Sequence, residues 1–355
     1  MTARSGAWPG AAFAIASAAL FGVSTPLAKV LLGGGLTPQL LAGLFYLGSG
    51  MGLGGVLLVR GVTGAANREA RLSRTDLPLL AAAVLLGGAL APWLQMLGIA
   101  RTSAGAAALL LNLEGLATMV IAWVVFRENV DRRILLGAFA ILAGAVVLSI
   151  SRGSAHAGSG SLLIAAACLA WGADNNLTRP LAKADPLQIA AIKGLVAGSI
   201  NVLLALLVVH ARLPSPAGMA VAGAVGFLGY GVSLVLYVLG LRHLGAARTA
   251  AYFSTAPFIG AVLAVSWLGE PLGARLLLAG LLMGIGLYLH FSERHEHLHH
   301  HEPLEHAHRH VHDEHHQHAH GPQDPPGEPH SHWHRHEPLT HRHPHFPDLH
   351  HRHEH

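Results

Sequence analysis

Charge is scarce in this chain of 355 residues: Asp, Glu, Lys and Arg together make up 12% of it. That scarcity excludes a soluble globule, whose helices would alternate apolar stripes with charged faces. Cysteine is scarcer still. Cys168 stands alone in an apolar run, so no internal disulfide can form and thiol redox chemistry has no second group. No G-x-x-x-x-G-K-[ST] loop occurs, so ATP is not expected to drive the protein directly, and neither an enzyme activity nor a required cofactor is indicated. The apolar runs also lack a cluster of His or Cys. His210, His243 and His290 fall at run ends and His156 in a loop, which leaves a soft metal ion no ligand set among them.

What the chain has in abundance is apolar length: 52% of it is hydrophobic, with 42 glycines. Apolar runs of about twenty residues, enough to cross a bilayer core of about 30 Å at about 1.5 Å per helical residue, follow one another. The fold class expected is an all-α membrane protein of ten transmembrane helices, near 9–32, 38–59, 77–100, 103–126, 132–151, 161–180, 186–210, 217–241, 246–268 and 273–291. The first run is long, lacks a small-x-small exit and leads into nine more, so it reads as a span and not a signal peptide. With a cytoplasmic N-terminus, inside loops hold twelve Lys and Arg, among them Arg60, Arg132, Arg133 and Arg179. Outside loops hold Arg101, Arg152, Arg212 and Arg275. This places both termini in the cytoplasm and the protein in the cell (inner) membrane, surrounded by lipid, with no nucleic-acid partner expected.

The chain repeats itself. Leu97-Gly98 and Glu128 are matched, at equal separation, by Leu239-Gly240 and Glu270, so TSAGAAALLLNLEGLATMVIAWVVFRE from Thr102 and LGAARTAAYFSTAPFIGAVLAVSWLGE from Leu244 read as two copies of one segment. FGVSTPLAK at Phe21–Lys29 likewise echoes WGADNNLTR at Trp171–Arg179, each followed by a proline, Pro38 or Pro186, that opens the next helix. Five spans per half is odd, so the second copy must be inverted, with a solute site expected near the midplane. The units expected are 1–151 and 152–294, with a tail from 295 to 355. This layout, the aromatic-Gly motifs of spans 1 and 6, and the small-residue segments ending at Phe126-Arg127-Glu128 and Leu268-Gly269-Glu270-Pro271 resemble the drug/metabolite transporter superfamily, EamA type, over roughly residues 9–291. The resemblance implies transport of small solutes such as amino acids, nucleotide precursors or sugars. Relatives commonly carry proline in the middle of spans 4 and 9. Pro257 matches that habit, whereas Glu114-Gly115 departs from it.

Glu114 is the leading candidate for the solute path, with Asn112 beside it. A carboxylate at that depth needs a partner or water, and one that exchanges its proton for an entering cation would couple transport to protons. The blander reading is a hydrogen bond locking two helices. Trp171, Asp174, Asn175 and Thr178 share one face of span 6, and Lys193 lies at the depth of Asp174 across the hairpin, where an ion pair is expected. Asn176 points elsewhere, toward a neighbouring helix. Gln95, Asn201 and Tyr252 are isolated polar or aromatic candidates, as are Ser17, Phe21, Ser24 and Thr25 on span 1 and Tyr230, Ser233 and Tyr237 on span 8; each alone is more often packing. Glu128 and Glu270 read as ties between helix ends. The stretch Gly48-Ser49-Gly50-Met51-Gly52 permits close helix approach, including a homodimer.

The tail holds 24 of the 28 histidines, with 10 acidic and 4 basic residues. Few apolar residues and many prolines predict disorder. His295, His297, His299, His300, His301, His306, His308, His310, His312, His315, His316, His318 and His320 offer many equivalent imidazole sets for Zn²⁺, Ni²⁺, Co²⁺ or Cu²⁺. A polyelectrolyte that gains charge near pH 6.5 is the competing reading. Three functions stay open at this stage: secondary transport of a small metabolite, with export as the expected direction and the tail binding metal; efflux of a divalent transition metal; and a membrane-anchored metal sensor or buffer.

Overall fold

The computed structural model describes residues 7–63, 72–126, 132–150, 155–178, 181, 185–244, 246–291, 296–301, 305–310, 330–335 and 339–344. Up to residue 291, the regular elements among the described residues are helices. These are α1 (Ala7–Gly33), α2 (Pro38–Val62), α3 (Leu77–Ala83), α4 (Ala91–Arg101), α5 (Ala104–Leu110), α6 (Leu113–Phe126) and α7 (Arg132–Ser149). There follow α8 (Ala155–Thr178), α9 (Pro186–Leu207), α10 (Pro216–Gly226), α11 (Ser233–Leu244), α12 (Ala246–Phe253), α13 (Ala256–Ser266) and α14 (Ala274–Phe291). Among the described residues, eight helical runs are long and apolar enough to cross a membrane, and Ala274–His290 forms a shorter apolar helix. The sixth expected span, 161–180, falls on the 24-residue α8.

Several helices begin where the sequence writes a capping side chain before proline. Thr37 accepts from Leu40 N at 3.4 Å ahead of Pro38, Asp185 from Leu187 N at 2.9 Å ahead of Pro186, and Ser215 from Gly218 N at 3.2 Å ahead of Pro216. Each satisfies an N–H that no helical carbonyl can reach, while proline occupies a position needing no donor.

Two of the expected continuous spans are interrupted, and both at repeat-equivalent places. The fourth breaks at Leu111-Asn112 between α5 and α6, and the ninth at Ser254-Thr255 between α12 and α13. At each break the backbone tightens to i→i+3 bonds: Glu114 N to Leu111 O at 3.0 Å, Phe258 N to Thr255 O at 3.1 Å. Pro257 explains the second, since it supplies no N–H. The first has no proline. There Asn112 turns its own amide back onto Leu109 O at 2.9 Å, so a polar side chain competes with the helical ladder and does what proline does in the other copy.

A second paired irregularity lies in the third and eighth spans. Val84–Leu90 and Phe227–Val232 are wide π turns, with Ala91 N bonding Leu86 O and Ser233 N bonding Leu228 O, both i→i+5. The shift that carries Leu97-Gly98 onto Leu239-Gly240 carries one π turn onto the other.

Helix α2 crosses α9 in the antiparallel sense: Gly43 lies beside Gly198 and Val202, and Gly50 beside Gly194 and Leu195. The contact needs glycine, because a Cβ on Gly50 would run into the backbone between Gly194 and Leu195. α7 and α14 also pack antiparallel, with Gly137 beside Gly286 and Gly144 beside Ala279 and Met283. The core at the centre of this packing includes Phe45, Leu109, Leu110, Ile141, Ile164, Trp171 and Met283.

In the tail the described residues lie in four short strands, and the rest of the expected disordered segment lies outside the described residues. Strands β1 (Glu296–His301) and β4 (Leu339–Pro344) pair antiparallel, as do β2 (Glu305–His310) and β3 (His330–Arg335). The physical reason is legible afterwards: His-x-His is an alternation of period two, the period of a strand.

Candidate functional site

The site is built where the interrupted fourth span meets the sixth. Opening the helix at Leu111-Asn112 sets Glu114 at the first turn of α6, half-buried in mid-span. Asn175 of α8 donates its amide to Glu114 Oε1 at 3.0 Å and to Thr118 Oγ1 at 3.1 Å, and Thr118 donates back to the Glu114 carbonyl at 2.9 Å. Asn175 is itself exposed.

Immediately before Asn175 on α8, Asp174 is buried and paired with Lys193 of α9, and it accepts from Thr178 at 3.1 Å. The ion pair lies against the third span: a Cβ at Gly87 would overlap the Asp174 carboxylate, so the π turn must present glycine there. The same turn leaves the Gly87 carbonyl free to accept from Tyr46 OH and Trp171 Nε1, each at 2.9 Å. Spans 2, 3, 6 and 7 thus meet at one backbone oxygen and one ion pair.

The remaining sequence-predicted residues separate into two groups. Gln95 is buried and accepts from Tyr230 OH at 3.1 Å, with its Nε2 unpartnered. Gln39 donates to Asn201 Oδ1 at 2.6 Å and Asn201 to Ala89 O at 3.1 Å, a tie between helices away from Glu114. Ser17 and Ser233 bond reciprocally between α1 and α11, their hydroxyls 2.7 and 2.9 Å from each other's carbonyl. Asn112 is buried and turned toward Met283 of α14, with Nδ2 3.7 Å from the sulfur, so it serves the helix break rather than the space around Glu114. Tyr252 is exposed. Asn176, as its face predicts, bonds a neighbouring helix, through Thr118 O at 3.1 Å.

A connected set of aromatic rings runs between α1, α2, α12 and the eighth span. Phe21 of α1 lies 5.6 Å from Tyr230 and 5.5 Å from Phe253, and Phe253 lies 5.0 Å from Tyr237. Tyr46 completes the chain, 5.6 Å from Tyr230. Sequence reasoning passed over Tyr46, Phe253, Thr118 and Gly87. Tyr46 is embedded in a Gly-rich run that reads as packing, and the role of Gly87 depends on the π turn. The doubled glycines Gly87-Gly88 and the pair Gly229 and Gly231 were the signal available.

One end of the fold is closed by complementary charge. Lys29 donates to Ile99 O at 2.7 Å and Thr102 O at 2.6 Å, at the carbonyl end of α4. Glu270, swung round by Gly269 at φ +68, accepts from Ala104 N at 2.6 Å and Gly105 N at 2.8 Å, at the amide start of α5. Each charge opposes the helix dipole it meets. Glu128, the counterpart of Glu270, lies outside the described residues. Of the tail histidines, His297, His299, His300, His301, His306, His308 and His310 lie on the strands. His295, His312, His315, His316, His318 and His320 lie outside the described residues. Among the described residues, no group of three or more His, Cys, Asp or Glu is placed to hold a metal ion.

Comparison with known proteins agrees with this architecture. The sequence profile of the EamA-like transporter family matches residues 8–150 and again 158–292. An uncharacterized transporter of Methanothermobacter thermautotrophicus is 29% identical over 291 residues, covering 78% of this chain and 84% of that protein. An uncharacterized protein of Pseudomonas aeruginosa is 34% identical over 189 residues, covering 52% and 65% of the two chains. A solved crystal structure, 20% identical, superposes with a TM-score of 0.58 over 79% of this chain and 95% of that one, a likeness of fold.

Proposed function

This chain belongs to the EamA-like transporter family, and from that premise we propose secondary active transport of a small metabolite, by alternating access between two inverted five-span halves. It is a multi-pass membrane protein and a transporter, not an enzyme. The direction proposed is export across the inner membrane, with both termini cytoplasmic. Support for the inversion comes from the paired breaks and paired π turns, together with the antiparallel crossing of α2 and α9, which are repeat counterparts. Ten spans follow if α8 and α14 cross with the rest.

The observation that carries the reading is the Glu114–Asn175–Thr118 set at a helix interruption in mid-membrane. Interrupted helices in transporters place free backbone and side-chain polar groups at the solute site. Medium from cells overproducing the protein should accumulate at least one metabolite relative to cells overproducing a Glu114→Gln variant of equal abundance, by about tenfold. Identical metabolite profiles would overturn the assignment of Glu114 to the path.

For the tail, we propose binding of a divalent transition metal, Zn²⁺, Ni²⁺ or Co²⁺. The register supports it: His306 pairs with His334, His308 with His332 and His310 with His330 along the β2–β3 ladder. His297 and His343, and His299 and His341, pair similarly in β1–β4. The want of a His or Cys cluster in the apolar runs favours a metabolite over the metal as the transported species.

A further inference from the structure

We infer that the structure is one of two exchangeable closures, shut at the end where Lys29 and Glu270 meet the α4–α5 corner, and that contact between Ala250 and Thr118 shuts the other end in the opposite state; the inference rests on the alternating-access reading above and deepens it. The shut end is a seam between α5 and α13. A Cβ at Gly260 would lie 2.9 Å from the Ala108 methyl, and one at Gly105 would lie 3.6 Å from the Ala264 methyl and 3.2 Å from the Glu270 carboxylate. Glu270, from the second half, also accepts from two amides of α5 in the first. The seam is both packed and latched.

The same two spans are parted at their other end. Beyond the breaks at Leu111-Asn112 and Ser254-Thr255, α6 packs on α8 and α7 while α12 packs on α1 and α11, and among the described residues α6 and α12 do not pack together. Gly115, on the same side of α6 as Thr118, is exposed, and a Cβ there would meet nothing within 4 Å. Tyr252 of α12 is exposed as well.

The repeat shows what fills that gap when the halves rock. Exchanging the halves of an inverted repeat swaps the roles in every contact between them. One such swapped pair is present together: Gly22 of α1 lies against Ala256, Ile259 and Gly260 of α13, and its echo, Gly172 of α8, lies against Ala117 and Thr118 of α6. The seam has no swapped partner among the described residues. The shift that carries Glu128 onto Glu270 carries Ala108 onto Ala250 and Thr118 onto Gly260. The counterpart of Ala108 on Gly260 is therefore Ala250 on Thr118, across the space where α6 and α12 stand apart. Both side chains are small enough for the helices to meet there. Because Asn175 bonds both Thr118 and Glu114, this closure covers the candidate site from the end now open, while Glu270 lets go of α5 at the other.

The test is disulfide trapping in the full-length protein in lipid nanodiscs, in a Cys168→Ala background, with diamide as oxidant so that no metal reaches the tail. Gly105→Cys with Ala264→Cys should bridge, since their Cβ positions lie 3.6 Å apart, within disulfide reach. Thr118→Cys with Ala250→Cys should bridge as well. In the chain carrying all four cysteines, each molecule should hold one bridge and never both. Glu270→Gln leaves the α5 amides a neutral acceptor and should move the partition toward the 118/250 bridge roughly two- to fivefold. Thermal melts of the reduced variants exclude misfolding as the cause. Failure of either bridge, both bridges in one molecule, or an unchanged partition in Glu270→Gln overturns the inference. Gly115→Cys in sealed vesicles separates it from the parent reading. Labelling of position 115 by an impermeant maleimide from both membrane sides, without a 118/250 bridge, removes only this contact, whereas labelling from one side under all conditions removes transport as well.

Discussion

Gly87 shows how one missing methyl group positions charge. Its α-carbon lies against the Asp174 carboxylate, and its carbonyl, loosened by the π turn, holds Tyr46 and Trp171. Gly87→Ala should cost about 1–3 kcal/mol by overpacking and displace Asp174 from Lys193. Gly54→Ala, where an added Cβ meets nothing within 4 Å, should be neutral or slightly stabilising, because alanine favours the helix. Thermal melts of the two variants beside the parent protein give the comparison, and equal melting temperatures would contradict the packing described. At this scale Glu114, Asp174, Asn175 and Lys193 were legible from the sequence, because acid, base and amide are rare in a span and each demands a partner. Gly87 was not. A glycine's reason lies in what it touches, and 42 of them look alike before the neighbours are known.

Among elements, the corner between α4 and α5 depends on a charge from each half. Lys29 sits on the carbonyls that end α4 and Glu270 on the amides that begin α5. Removing either leaves backbone groups unsatisfied and a dipole uncompensated. Glu270→Ala is expected to lower stability by about 0.5–2 kcal/mol, the range of a lost N-cap. Lys29→Ala should cost less in the Glu270→Ala background than alone if both hold the same corner. A double-mutant cycle of melting temperatures measures the coupling, and strict additivity would show the two ends to be independent. Hydropathy located the eight long apolar helical runs among the described residues, and the doubled segments pointed to the paired irregularities. The interruptions were only half visible: Pro257 announces the second, but the first arises from Asn112 bonding backward, a choice of rotamer that the sequence does not print. The π turns have no apolar signature at all, since they alter which carbonyls are free and leave the lipid-facing pattern unchanged.

For the whole molecule, the question is how a sixty-residue histidine tail relates to a transporter body that offers metal so little. A two-stranded ribbon is marginal in water, so the pairs β1–β4 and β2–β3 need a further source of stability, and a metal ion shared by opposed histidines would supply one. Strand content and metal occupancy should then rise together. Zn²⁺ added to the full-length protein in nanodiscs should be taken up with an increase in β signal in the far ultraviolet, and EDTA should reverse both. Imidazole binds metal only when neutral, so occupancy should hold above its ordinary pKa of about 6.5 and fall as the pH drops through it. A chain ending at Arg294 should lose this uptake while keeping flux through the helical body, because the described partners of Glu114, Asn175 and Thr118, both lie in the helices. If truncation abolishes flux, the tail is part of the transport path, and metal returns as the transported species.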